Sequence, residues 1–108
     1  MTSAPIQEIS DASFEGDAIQ ASKPVLVDCW ATRCGPCTAL SPLLEDARIN
    51  VGRLRIFKLN VDENHVAPAR MGVRGVPTLA LYRAGLLRAA KVGAVAKAQL
   101  NAFIEAQL

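Results

Sequence analysis

The sequence predicts an α/β protein: one mixed sheet, with parallel strands early and antiparallel strands late, flanked by helices on both faces. Three observations carry this. Strand-period and helix-period apolar patterns alternate through the first two thirds of the chain, the mark of parallel strands joined by crossover helices. PVLVDCW, Pro24 to Trp30, is a nearly continuous apolar run, which suits a strand covered on both faces. PTLALYRAG and LLRAAKVG, Pro77 to Gly93, read as a hairpin turning at Ala84–Gly85.

Taken in order, IQEI (Ile6 to Ile9) is a short strand. SDASFEGDAIQ opens on Ser10 and Asp11, both good N-caps, and reads as a helix turning Phe14, Ala18 and Ile19 inward. The buried strand Pro24 to Trp30 follows. From Cys34 to about Asn50 the pattern is helical, with Leu40, Leu43, Leu44 and Ala47 on one face and a kink expected at Pro42. LRIFKLNVD (Leu54 to Asp62) alternates and reads as a strand. ENHVAPARMG holds a short helix stopped by Gly72. After the hairpin, AKAQLNAFIEAQL is an amphipathic helix with Leu100, Phe103, Ile104 and Leu108 on one stripe. The sum is five strands in one sheet with about four helices, a single domain over residues 1–108.

Composition removes several function classes. The chain is 51% hydrophobic and 20% charged, so it can bury a core and is not a disordered segment. Its 12 basic and 10 acidic residues are too balanced to argue for nucleic acid. No apolar run approaches the ~20 residues that cross a bilayer. The start, MTSAPIQEISDASFEGD, lacks the basic and apolar stretches of a signal peptide, so a cytoplasmic location is expected. Three cysteines are too few and too odd a number for a secreted disulfide scaffold.

All three lie in CWATRCGPCTAL, and only Gly35 and Pro36 separate Cys34 from Cys37. With Cys34 ending the strand–helix loop and Cys37 in the first helical turn, the sulfurs can meet. Unpaired N–H groups and the positive end of the helix dipole stabilise a thiolate there. Gly35 admits a partner's backbone, and Pro36 suits an early helical position. Cys34 is then the exposed nucleophile, Cys37 the deeper resolving thiol, and the chemistry thiol–disulfide exchange. Two plainer roles compete. A zinc site needs about four ligands, and only Cys29 and His65 remain to complete one. Cys29 sits mid-strand, as core cysteines do. A structural disulfide closing so short a loop would stabilise little.

At this point the chain resembles the thioredoxin family. VDCWATRCGPC is similar to its active-site segment, and KLNVDEN, GVRGVPTL and KVGA follow in the family's order before the terminal helix. The resemblance runs from about Ile6 to Leu108 and implies the thioredoxin fold. It makes Cys34 the attacking and Cys37 the resolving thiol of a redox disulfide. Asp28, on the buried strand with its pKa raised by burial, resembles the acid that accepts the proton of Cys37, and Lys58 the lysine that pairs with it. A satisfied structural aspartate is the alternative. Pro77 resembles a cis-proline that leaves the Val76 backbone free for an extended substrate, against an ordinary strand-start proline. Trp30, Gly35, Pro36, Val61, Val76, Pro77, Val92 and Gly93 would form an apolar docking face, with Val61 and Val92 also readable as core.

The resemblance further implies a reductant of disulfides in client proteins, recharged by a flavin-containing thioredoxin reductase drawing on NADPH. No bound cofactor or metal is expected, and no nucleic acid or membrane partner; a monomer is. The alternatives are a dedicated single-client protein and a redox-independent scaffold. Four departures stand out. Arg33 takes the place of a tryptophan, Thr38 that of a lysine, Cys29 that of an aromatic, and Ala96 that of a helix N-cap, at a cost of ~1 kcal/mol. Arg33 would favour the Cys34 thiolate and make the disulfide more oxidising, and with Arg70 and Arg74 it could steer acidic partners. Screening of an exposed charge argues for a smaller effect.

Overall fold

A computed structural model describes residues 6–50 and 52–108, Asn50 by its backbone alone. The first five residues and Val51 of the expected domain lie outside the described residues. The strands are β1 (Gln7–Ile9), β2 (Val25–Trp30), β3 (Arg55–Asn60), β4 (Thr78–Arg83) and β5 (Leu86–Val92). The α-helices are α1 (Gly35–Asn50), α2 (Val66–Arg70) and α3 (Lys97–Glu105). They build one sheet in the order β1-β3-β2-β4-β5. β1, β3 and β2 run parallel; β4 and β5 are antiparallel. This is the thioredoxin fold expected from the sequence.

β2 is central, and its alternation divides the core. Val25, Val27 and Cys29 join Phe57, Leu59, Ala80 and Tyr82 on one face, under Phe14, Ala18, Ala67 and Met71. Leu26 joins Ile56, Leu79 and Leu81 on the other, under Leu40 and Leu44 of α1 and Leu100 and Ile104 of α3. Period-two side chains on a strand enforce this split. Asp28 and Trp30 therefore point to the face that carries α1.

The hairpin turns at Ala84 and Gly85, both with positive φ (54° and 78°), as a two-residue turn matching the strand twist requires. Gly72, at φ 73°, ends α2, with Val73 N–H donating to the Pro68 carbonyl beyond it. Pro42 lies inside α1 without ending it.

The segment after β1 is the expected helix, with Phe14 and Ala18 buried, but it takes mainly the π form. Ser10 and Ser13 cap each other: Ser13 N–H donates to Ser10 Oγ at 3.3 Å and Ser10 N–H to Ser13 Oγ at 3.0 Å. A turn follows, and then a single π-helical stretch, Glu15–Ile19. So short a segment, with Gly16 inside it, has little helical preference of its own. Asp11 does not cap this segment. Its carboxylate accepts the N–H groups of His65, Val66 and Ala67 at 3.0, 3.1 and 2.7 Å, and so caps α2 across the fold. Desolvation pushes the Asp11 pKa up, but those three donors together with the His65 charge outweigh it and hold it below the usual carboxylate value.

Candidate active site

The chemistry gathers where β2 hands over to α1. Cys34 occupies the position just before the helix, half-buried, while Cys37 is buried at 4% exposure in the first turn. The two are joined by a disulfide with their Cα atoms 5.2 Å apart. Cys34 Sγ accepts the Cys37 N–H at 3.2 Å. The sulfur thus stands where a capping oxygen usually stands, at the positive end of a sixteen-residue helix. Gly35, Pro36 and Arg33 are exposed around it. Thr38 donates its hydroxyl to the Cys34 carbonyl at 3.4 Å.

The loop before Cys34 is pinned from β3. Asp62 accepts the Thr32 N–H at 2.9 Å, and its own N–H donates to Asn60 Oδ1 at 2.9 Å. The backbone and side chain of Thr32 hold the Asp62 pKa below the usual value. Sequence reasoning missed this role, because nothing local marks Asp62 as the partner of a residue thirty positions earlier.

On β2, two residues before Trp30, Asp28 is fully buried, and neither carboxyl oxygen has a hydrogen-bond partner among the described residues. Desolvation pushes its pKa up to about 7, against the attraction of Lys58 and with the help of Glu8. Lys58 lies directly opposite Asp28 in the β2–β3 register. Its ammonium, however, donates to Ser41 Oγ at 3.3 Å and sits 5.2 Å from the centre of the Trp30 ring. Lys58 thus makes no ion pair with Asp28 at contact distance among the described residues, while its charge attracts the carboxylate from the facing strand position. A cleft of about 120 Å³ next to Cys37 is lined by Trp30, Thr38, Ser41 and Lys58. Cys29 points to the opposite face of β2, fully buried. Burial, then the Asp28 charge, pushes its pKa up to about 12, so it is an inert core thiol.

The Val76–Pro77 bond is cis. It leads into β4, which neighbours β2 with Thr78 opposite Cys29, so Pro77 is brought to the same sheet end as Trp30. Pro77 is buried, and its carbonyl accepts the Gly93 N–H at 2.8 Å. Val61, Val73, Arg74 and Val76 line a groove of about 350 Å³ beside it. Val61 also packs against the core, whereas Val92 is 66% exposed and belongs to the surface, close to Gly75. Arg70 turns away from this region: it pairs with Glu15 at 3.4 Å and covers Phe14.

A CxxC disulfide at a helix N-terminus, on the end of a central parallel strand and beside a cis-proline, defines a dithiol–disulfide oxidoreductase. Comparison with known proteins agrees. A family model described as Thioredoxin matches residues 5–106. The chain is 54% identical over 101 residues to a thioredoxin of Acidithiobacillus ferridurans, covering 93% of this chain and 94% of that one. It is 50% identical over 104 residues to a thioredoxin of Pseudomonas aeruginosa, covering 95% and 96%. A thioredoxin of Rhodospirillum rubrum is 41% identical over 104 residues, covering 95% of this chain and all of that one. The chain belongs to the thioredoxin family, and it is a protein-disulfide reductase that works between disulfide-containing clients and a reductase.

Proposed function

We propose that the chain is a general reductant of protein disulfides in the cytoplasm, active as a monomer. It holds no cofactor of its own and is recharged by a flavin-containing thioredoxin reductase that draws on NADPH. The single observation that carries this is the asymmetry of the pair: Cys34 is accessible and receives a helix N–H, while Cys37 is buried behind it.

In the reduced protein, the Cys34 thiolate attacks one sulfur of a client disulfide. A Cys34–client disulfide forms, and the first client thiolate leaves. Cys37 then gives up its proton, with Asp28 as acceptor. The Cys37 sulfur attacks Cys34 Sγ, the Cys34–Cys37 disulfide closes, and the second client thiolate departs. Two electrons pass to the client, and the reductase returns two. A proton acceptor for this step must ionise near neutral pH, and the raised Asp28 pKa of about 7 supports the assignment.

Docking rests on the apolar groove lined by Val61 and Val76, with Trp30, Gly35, Pro36, Pro77, Val92 and Gly93 around it. Among the described residues, the Val76 backbone has no hydrogen-bond partner, which leaves it open to an extended client segment. Arg33 and Arg74 are both exposed, and Arg74 lines the groove. Among the described residues neither forms an ion pair, and although Asp62 also lines the groove, the two cations favour clients with acidic residues near the target cysteine, which keeps a narrower, dedicated client range as the second reading. A Cys37→Ser variant tests both. It should accumulate mixed disulfides through Cys34 with many different proteins. Capture of one partner alone would establish the dedicated role, and capture of none would remove the general one.

A further inference from the structure

Glu8, which no motif singles out, is tied to the redox site by geometry. Glu8, Lys58 and Asp28 are aligned in register across the parallel strands β1, β3 and β2, so the three side chains share the face that carries α1. The Trp30 indole N–H donates to both carboxylate oxygens of Glu8, at 3.2 and 3.1 Å. The ring so held lies 5.2 Å from the Lys58 ammonium. That ammonium is steadied by Ser41 at 3.3 Å, and among the described residues it forms no ion pair with either carboxylate. Asp28 is left buried, with neither oxygen hydrogen-bonded to any described residue.

We propose that Glu8 is a positioning residue of the redox site: by gripping the Trp30 indole and drawing on Lys58 from the side opposite Asp28, it keeps the Asp28 carboxyl without an ion-pair partner. The inference rests on Asp28 being the proton acceptor. A cation between two carboxylates is shared by both, so removing one charge releases it toward the other. Loss of the Glu8 charge thus acts twice in one direction, because the direct repulsion on Asp28 also falls. Among the described residues, the charged or titratable groups that act on Asp28 are Lys58 on β3, Glu8 on β1 and the adjacent Cys29 on β2; on α1, Cys37 and the Glu45–Arg48 pair share this face, and Glu45 lines the cleft beside Glu8 and Lys58. The neighbour on β4 is Leu79, which carries no charge. Glu8 is exposed, so its influence weakens as salt rises.

Trp30 is the only tryptophan of the chain, so its fluorescence reports this contact directly. The experiment compares wild type, Glu8→Gln, Glu8→Ala and Glu8→Asp at low ionic strength. It follows the Asp28 carboxyl carbon by NMR titration, Trp30 emission, and the pH–rate profile for reduction of a model protein disulfide. Glu8→Gln keeps an acceptor for the indole but loses the charge. It should leave emission close to wild type and move the Asp28 midpoint to lower pH. Glu8→Ala should move both, and Glu8→Asp should restore the midpoint. An Asp28 midpoint unmoved in both Glu8→Gln and Glu8→Ala would overturn the proposal. A midpoint that falls while the pH–rate profile stays in place would leave Glu8 in its role and remove Asp28 as the proton acceptor.

Discussion

A fully buried carboxyl group without a hydrogen bond is costly, and among the described residues Asp28 at the centre of the sheet is such a group. Its folded-state pKa lies above that of the unfolded chain. Between about pH 4 and 7 the unfolded chain therefore ionises Asp28 while the folded protein keeps the proton. Stability contributed at low pH is lost as pH rises through this window, then levels off. The interval is worth about 4 kcal/mol. Asp28→Asn should be more stable than wild type at pH 8 by a few kcal/mol, should lose most of this pH slope, and should reduce disulfides more slowly. Denaturant unfolding across pH measures the first two. The other residue-scale question is Arg33. As an exposed charge beside Cys34 it is screened and worth less than about 1 kcal/mol. Replacing it by tryptophan should lower the oxidising power of the disulfide by about 10 mV. A redox titration against glutathione that finds no change would assign Arg33 to partner steering alone.

At the scale of elements, two helix starts show what sequence order hides. Asp11 stands where a cap for its own segment is expected, yet its carboxylate serves α2 more than fifty residues later. No local pattern carries that information, because the partner is chosen by the sheet, which brings the end of β1 to the loop after β3. α3 shows the converse. Ala96 is extended (φ −82°, ψ 162°) and offers no side-chain acceptor, while Gln99 reaches back to accept its N–H at 2.9 Å. Half of a capping box is present, and the missing half was legible as the absent cap. Asp11→Ala should cost about 1–2 kcal/mol and Ala96→Ser should add about 1 kcal/mol, both read as shifts in urea midpoint without a change in slope. Equal midpoints would show that these helix ends are satisfied by water.

Across the whole molecule, local signals and long-range register divide what could be read. The order of elements, the hairpin turn and the Cys34–Cys37 pair were legible because each depends on neighbours in sequence. Asp28 was visible as an acid in an apolar run. A continuous run, however, does not say that Asp28 faces α1 while Cys29 faces the opposite core. The Glu8–Lys58–Asp28 row and the grip of Asp62 on Thr32 depend on strands meeting side by side, and so do the contacts of Lys58 with Ser41 and Trp30 beside the Asp28 it faces. The most direct test of the central claim is reduction of a model protein disulfide by the whole chain, driven by NADPH and thioredoxin reductase, for wild type and Cys34→Ser side by side. The account predicts steady NADPH consumption by wild type and none above background in the variant. Equal rates in the two, or no turnover by a folded wild type, would contradict it.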